Sequence, residues 1–348
     1  MSAAGPTKLS PRWLAIGVSS VVFACVFGVA IGTIWLPPNE ILFEILDHIP
    51  YVNLDSGLTD TEAAIVWEVR FPRVIMGLLV GSMLAISGSG YQGVFRNPLA
   101  DPFLLGIAAG AGLGATVAVV TGAGDNSGLF DLVPLAAFGG ALLAVLVTML
   151  LGSAGRGLSS PATLLLAGVA VAAFFTAVQV NVQQRNIDPL KQIYLWMLGH
   201  LGTVGWGEVG LLLPYFFVSV VGLLLFRGAL DVLAVGDEEA RTLGMNPRRV
   251  RFIVVCLASL AAAAAVAVSG LIGFVGLVVP HAVRLVVGVG HRAVVPLSLM
   301  FGGVFLVLAD LMARTVMAPA ELPIGVVTAF IGAPFFLFIL RSRGSELA

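Results

Sequence analysis

The chain has 348 residues, 59% of them hydrophobic and only 11% charged, and its 18 basic and 19 acidic residues leave a formal net charge of -1. Soluble domains carry roughly 25% charged residues, so the composition excludes a soluble globular protein. A mean hydropathy of +1.04, with repeated apolar runs near or above about 18 residues, indicates a polytopic membrane protein.

After Lys8 and Arg12, an apolar run extends from Trp13 to Leu36. It is longer than the roughly 7 to 15-residue core of a secretory signal and lacks a small-x-small cleavage site, so it reads as a first spanning helix. Further apolar segments lie at 74–95, 103–122, 132–152, 163–183, 209–226, 252–270, 271–287, 293–318 and 322–340, which predicts about ten spans and an all-α fold. The segments at 103–122 and 271–287 are short or broken by glycine. They are expected to span partially or bend, which is tolerated where protein covers the freed backbone groups. Cys25 and Cys256 lie far apart inside such runs, so neither a disulfide framework nor a metal cage is indicated.

Placing the N-terminus inside leaves only Arg70, Arg73, Arg185, Lys191 and Arg314 of the 18 basic residues outside, the asymmetry that the positive-inside rule favours. Both termini are then cytoplasmic. Between the second and third segments, Asn97-Pro98 and Asp101-Pro102 predict a rigid non-helical inner turn, because a residue before proline is biased away from the helical region. Gly77 and Gly81, then Gly106, Gly110 and Gly114, recur every four residues and suit close helix packing. Read as a nucleotide-binding loop, GIAAGAG would need a preceding strand and a βαβ unit. Gln179, Asn181, Gln183 and Gln184 close the fifth segment, and adjacent or alternate positions on a helix do not share one face, so they are expected to be divided between pore, partner helix and loop.

The one long charged inner loop is RGALDVLAVGDEEARTLGMNPRRVRF, residues 227–252. Asp237 is placed to cap a short helix, Glu238 and Glu239 favour its dipole, and Gly244 suits a left-handed end. Asn246 and Pro247 restart a second short helix ahead of Arg248, Arg249 and Arg251. A basic, solvated face that fixes topology is the plainer reading. A capped element projecting from a transporter is better explained by a partner that pushes or pulls on it. The chain has no GxxxxGK[ST] sequence, His281 and His291 have no HExxH setting, and Asp310 is the one candidate for an intramembrane proton carrier.

Several stretches together resemble the FecCD family of permease subunits, ten-helix importers for iron-siderophore complexes, haem and cobalamin. They are VRFPRVIMGLLVGSMLAISGSGYQGVFRNPLADPFLLGIAAGAGLGA, TLLLAGVAVAA, YLWMLGHL, DVLAVGDEEARTLGM, GLIGFVGLVVPHAVRL and LADLMARTVMAPAELPIGVVTAFIGAPFFLFIL. The resemblance implies a type II ABC importer permease, one transmembrane domain over residues 1–348 with a coupling loop at about 227–252. It implies a second permease subunit in a homodimer or homologous pair, two cytoplasmic ATP-binding cassette subunits and an extracytoplasmic substrate-binding protein, in a bacterial or archaeal cytoplasmic membrane. No nucleic acid and no bound cofactor or metal are expected of this chain, ATP and Mg being used by the partner ATPase. The cargo implied is an iron chelate, a ferric siderophore or haem, with cobalamin as the alternative.

By the same resemblance, Arg70 and Arg73 of VRFPR and Arg314 of ADLMAR receive glutamates from the binding protein. An arginine fork suits such docking, since it holds a carboxylate bidentately, and Arg70 and Arg73 are expected to stay hydrated beside Pro72. Arg314 has a competing partner in Asp310, one helical turn earlier. Asn97 and Leu99 are implied as one element of a cytoplasmic gate and Ser159 and Ser160 as the other. Asp237, Glu238, Glu239, Ala240, Arg241, Leu243 and Gly244 are implied to couple the permease to its ATPase.

Overall fold

The computed structural model describes residues 9–32, 36–47, 56–122, 132–153, 161–202 and 205–344. Among them are seven helices long and apolar enough to cross a membrane and three shorter apolar ones, Ile107–Val120, Val275–Val287 and Ile324–Ile339, which account for the ten expected segments. In chain order the helices are α1 (Pro11–Ala30), α2 (Pro38–Asp47), α3 (Asp60–Ala64), α4 (Phe71–Phe95), α5 (Ile107–Val120), α6 (Leu132–Ser153), α7 (Pro161–Arg185), α8 (Leu190–Met197), α9 (Trp206–Val235), α10 (Asp237–Thr242), α11 (Pro247–Ser269), α12 (Val275–Val287), α13 (His291–Thr315) and α14 (Ile324–Gly344). No strand occurs among the described residues.

α4 is the central rod, packed against α13, α11, α9 and α12. It grows out of α3, whose first turn is closed by a capping box between Thr59 and Glu62, through a π-helical turn at Ile65–Arg70. Small residues let its neighbours approach. A Cβ on Gly81 would lie 2.3 Å from the carbonyl oxygen of Gly302 in α13, so these two backbones are in contact. α5, α6 and α7 pack together beside this core, and α1 lies along α13. Gly110 of α5 meets the backbone of Gly140 in α6 in the same way. Gly106 acts differently, because at φ +82° it ends the short 3-10 turn Pro102–Leu105 ahead of α5.

The two segments expected to be short are so. α5 has 14 residues and α12 has 13, about 20 Å each, less than the roughly 30 Å hydrocarbon layer. Ahead of α12 the chain is non-helical from Gly270 to Phe274, and its surroundings are bonded by protein: the His200 N–H donates to the Ser269 carbonyl at 2.8 Å and the Gly325 N–H to the Leu198 carbonyl at 3.1 Å.

The inner loop differs from its expected form. α9 runs for 30 residues, about 45 Å, and so carries residues 227–235 as helix beyond a membrane's thickness, with Leu230 and Leu233 fully buried. After α10, Asn246 caps a helix as expected, accepting from the Arg249 N–H at 3.1 Å. That helix is α11, a full 23-residue span rather than a short one. The link between spans is therefore residues 236–246, with α10 as its only helix. Gly236 occupies the cap position assigned to Asp237, which is the first helical residue instead. Gly244 takes the left-handed conformation at φ +81°.

Candidate functional site

Two polar clusters lie at opposite ends of α4, roughly 35 Å apart for the 1.5 Å rise per residue between Arg73 and Arg96. At the first, the π-helical turn and the start of α4 present Arg70 and Arg73 toward the end of α13, which supplies Asp310 and Arg314. The Nε of Arg73 donates to Asp310 Oδ1 at 3.0 Å, and its Nη2 to the same oxygen at 2.8 Å. The other side of the fork meets Glu321 in the α13–α14 connection, Nη1 to Oε1 and Nη2 to Oε2, both at 2.9 Å. Arg314 places Nε 3.4 Å from Asp310 Oδ2 and donates through Nη2 to the Gly28 carbonyl. Arg70 donates through Nη1 to the Val29 and Ala30 carbonyls at 3.0 and 3.2 Å, satisfying the end of α1.

The expectation that these arginines stay hydrated is therefore corrected. Arg70, Arg73 and Arg314 are 4%, 8% and 4% exposed, and Asp310 only 3%. The cause is tertiary: the end of α1, the end of α13 and the Glu321 connection enclose the start of α4, supplying carbonyls and carboxylates in place of water. Arg314 takes the Asp310 partner that the helical spacing allowed. Glu321 lies in the connection outside the spans, and hydrogen bonding from Arg73 holds its carboxyl below the ordinary glutamate range despite partial burial. A cavity of about 490 Å³ opens beside Arg73, Asp310 and Glu321, bounded also by Trp196 and His200.

At the second cluster an acid is shared by two arginines. α4 ends at Arg96, which adopts a left-handed conformation at φ 49° and turns its side chain toward α9 and α10. Its Nε donates to the Leu233 carbonyl at 2.6 Å and its Nη2 to Asp237. Arg251 of α11 donates to the same carboxylate, Nη1 to Oδ2 at 2.8 Å. Asp237 is thereby held below the ordinary aspartate range, with the Arg251 hydrogen bond as the largest cause. Immediately after Arg96, Asn97 Oδ1 accepts from the Leu99 N–H at 2.9 Å, and Asp101 Oδ1 from the Phe103 N–H at 2.8 Å, giving the stiff turn that the two prolines predicted. Leu99 is 40% exposed there.

Of the proposed coupling residues, Ala240 is fully buried under α10 and Leu243 is 69% exposed, while Glu238, Glu239 and Arg241 lie on the same short helix and Gly244 follows it. The structure thus joins Asn97 and Leu99 to Asp237 through Arg96. Ser159 and Ser160 lie outside the described residues. On α7, Gln179 is buried and donates to Met197 Sδ at 3.2 Å, Gln183 is half-buried and reaches Thr116 at 3.4 Å, and Asn181 and Gln184 are exposed.

Three partners escaped the sequence reading: Glu321, Arg96 as the ligand of Asp237, and Asp231, whose Oδ1 accepts from the His291 backbone N–H at 2.6 Å. Glu321 stood within the family-like stretch MAPAELPIG, the one available signal. Both clusters are built on arginine–carboxylate pairs with arginines in excess, which suits recognition and the transmission of motion.

The chain matches the FecCD transport family over residues 20–342. It belongs to that family. The permease is 42% identical to the cobalamin import system permease protein BtuC of Halobacterium salinarum, over 83% of this chain and 77% of that one. It is 41% identical to the hemin transport system permease protein HmuU of Yersinia pestis, over 80% and 84% of the two chains. Among solved structures it resembles a metal-chelate type ABC transporter in an inward-facing conformation, with a TM-score of 0.82 and 28% identity over 96% of the permease and all of that chain. It is a multi-pass, all-helical membrane permease of the ABC importer type, and the resemblance drawn from its sequence stretches holds.

Proposed function

We propose that this permease imports an iron chelate, a ferric siderophore or haem, across the cytoplasmic membrane. It does so as one of a pair of transmembrane subunits, with ATP and Mg used by two cytoplasmic ATP-binding cassette subunits and with cargo delivered by an extracytoplasmic binding protein. The observation that carries this reading is the Asp237 clamp. A force applied to α10 reaches Arg96 and Arg251 through one carboxylate, and the Asn97–Leu99 turn begins at the next residue after Arg96. The exposed Leu243 and the acidic first turn of α10 offer the surface on which an ATPase would push, and Asn97 and Leu99 are the gate elements that would respond.

At the other end, Arg70, Arg73 and Arg314 serve as the cationic seat for acidic residues of the binding protein. Iron-chelate cargo is supported by the relatives named for hemin and, in Bacillus subtilis, for iron(3+)-hydroxamate, the latter 37% identical over 81% of this chain. Cobalamin is the second reading, favoured by the Halobacterium salinarum relative and by a vitamin B12 permease of Klebsiella pneumoniae, 37% identical over 97% of this chain.

The test is ATP-dependent uptake into vesicles holding the permease, its ATPase and its binding protein, with ferric siderophores, haem and cobalamin offered in turn. Uptake of an iron chelate is expected. Uptake of cobalamin alone would transfer the assignment to the second reading, and uptake driven by the permease under a proton gradient without ATPase would overturn both.

A further inference from the structure

The seat at the Arg73 end is already occupied by the permease itself. A guanidinium has five N–H donors in a fixed fork. In Arg73, Nε and one side of Nη2 serve Asp310, while the remaining side of Nη2 and one N–H of Nη1 serve Glu321. One donor is left, which is too few for a second bidentate carboxylate.

The two carboxylates are not equally free to leave. Asp310 sits on a membrane helix, 4% exposed at its side chain and shared with Arg314, so removing it would strand charge inside the protein. Glu321 sits on the connection between α13 and α14 with its side chain 43% exposed, bordering the cavity beside Trp196 and His200. It also borders a smaller space of about 90 Å³ where Arg70, Arg73 and Arg314 converge. Arg70 and Arg314 line that space beside Arg73, so it suits an anion even while the Arg73 fork is filled.

We propose that Glu321 is an intramolecular placeholder, occupying the Arg73 fork until a carboxylate of the docking protein displaces it into the adjoining cavity. This rests on the docking reading given above for Arg73. Docking then exchanges one charge-assisted pair for another, so its affinity is a difference between two similar contacts and the complex stays reversible. A partner lacking a well-placed carboxylate gains nothing from the seat and leaves Glu321 in place. Because Glu321 lies three residues before α14, the exchange also releases the chain that enters that helix.

The experiment measures the affinity of the cognate binding protein for the permease–ATPase complex in nanodiscs, comparing the unaltered protein with Glu321→Gln, Glu321→Ala and Arg73→Glu. Removing the internal competitor is expected to tighten binding by about fivefold in both Glu321 variants, the scale of one half-exposed ion pair. Arg73→Glu is expected to weaken it by roughly tenfold or more, with a diminished response to salt. If Arg73→Glu leaves the affinity unchanged, the docking reading itself fails. If Arg73→Glu weakens binding but both Glu321 variants bind no more tightly than the unaltered protein, docking at Arg73 stands and the placeholder is overturned.

Discussion

The two ends of α4 use the same chemistry, arginines in excess over the acids they hold, at different degrees of burial. At the Arg73 end, arginines outnumber acids and are buried by three chain segments, and a deeply buried carboxylate holds two of them. At the Asp237 end, one carboxylate is held by two arginines, and Asp237 and Arg96 keep about a third of their side-chain surface in water. Buried charge makes the first end rigid and expensive to disturb. Partial exposure of Asp237 and Arg96 makes their pair weak as a source of stability and suited to passing on a displacement, whereas Arg251, its side chain only 4% exposed, is the buried anchor of that end.

The largest effect that this contrast predicts is on stability. Asp310→Asn removes the charge that neutralises Arg73 and Arg314 in the bundle and is expected to cost about 3–5 kcal/mol, read as a fall of several degrees in the thermal unfolding midpoint in detergent. Asp237→Asn is expected to cost less, about 1–3 kcal/mol, because its carboxylate is partly solvated although the buried Arg251 loses its charged partner, while lowering ATP-dependent uptake severalfold. Equal destabilisation by the two variants would erase the distinction between the ends. A smaller step is Leu243→Asp. This residue is 69% exposed, so the unfolding midpoint should not move, and the loss should appear only in co-purification with the ATPase and in cargo-stimulated ATP hydrolysis.

How much of this was legible in the sequence follows from the range of the interactions. The ten apolar segments were readable because hydropathy is a local property, and the Asn246 cap, the Gly244 terminus and the proline-stiffened turn at Asn97 were readable because each is set by a few neighbouring residues. The form of the inner loop was misjudged where tertiary burial overrides local polarity. Arg227 and Asp231 look like loop residues, yet Leu230 and Leu233 between and beyond them are buried and keep α9 helical to Val235. The hydrated arginines were misjudged for a related reason. Arg73 and Asp310 are 237 positions apart and Arg96 and Asp237 141 apart, and no local pattern tells which helices become neighbours. The Asp310–Arg314 pair was visible as the competing reading for Arg314 because one helical turn separates them.

Acidification gives the smallest effect and compares the two ends directly. Glu321 and Asp237 both lie below their ordinary carboxyl ranges, each chiefly through an arginine hydrogen bond. A carboxyl depressed in the folded state binds fewer protons than it does when unfolded, so its stabilisation is complete above the unfolded value, about 4, and is lost as pH falls through the lower folded one. The unfolding midpoint should therefore be level from neutrality to about pH 5 as far as these two groups are concerned, and should decline below about pH 4. Glu321→Gln and Asp237→Asn should each flatten part of that decline, because an amide has no proton to gain. Both groups are partly exposed, so each contribution is screened and modest. A decline as steep in the double variant as in the unaltered protein would assign the acid sensitivity to other carboxyls and remove these two pairs from the stability of either end.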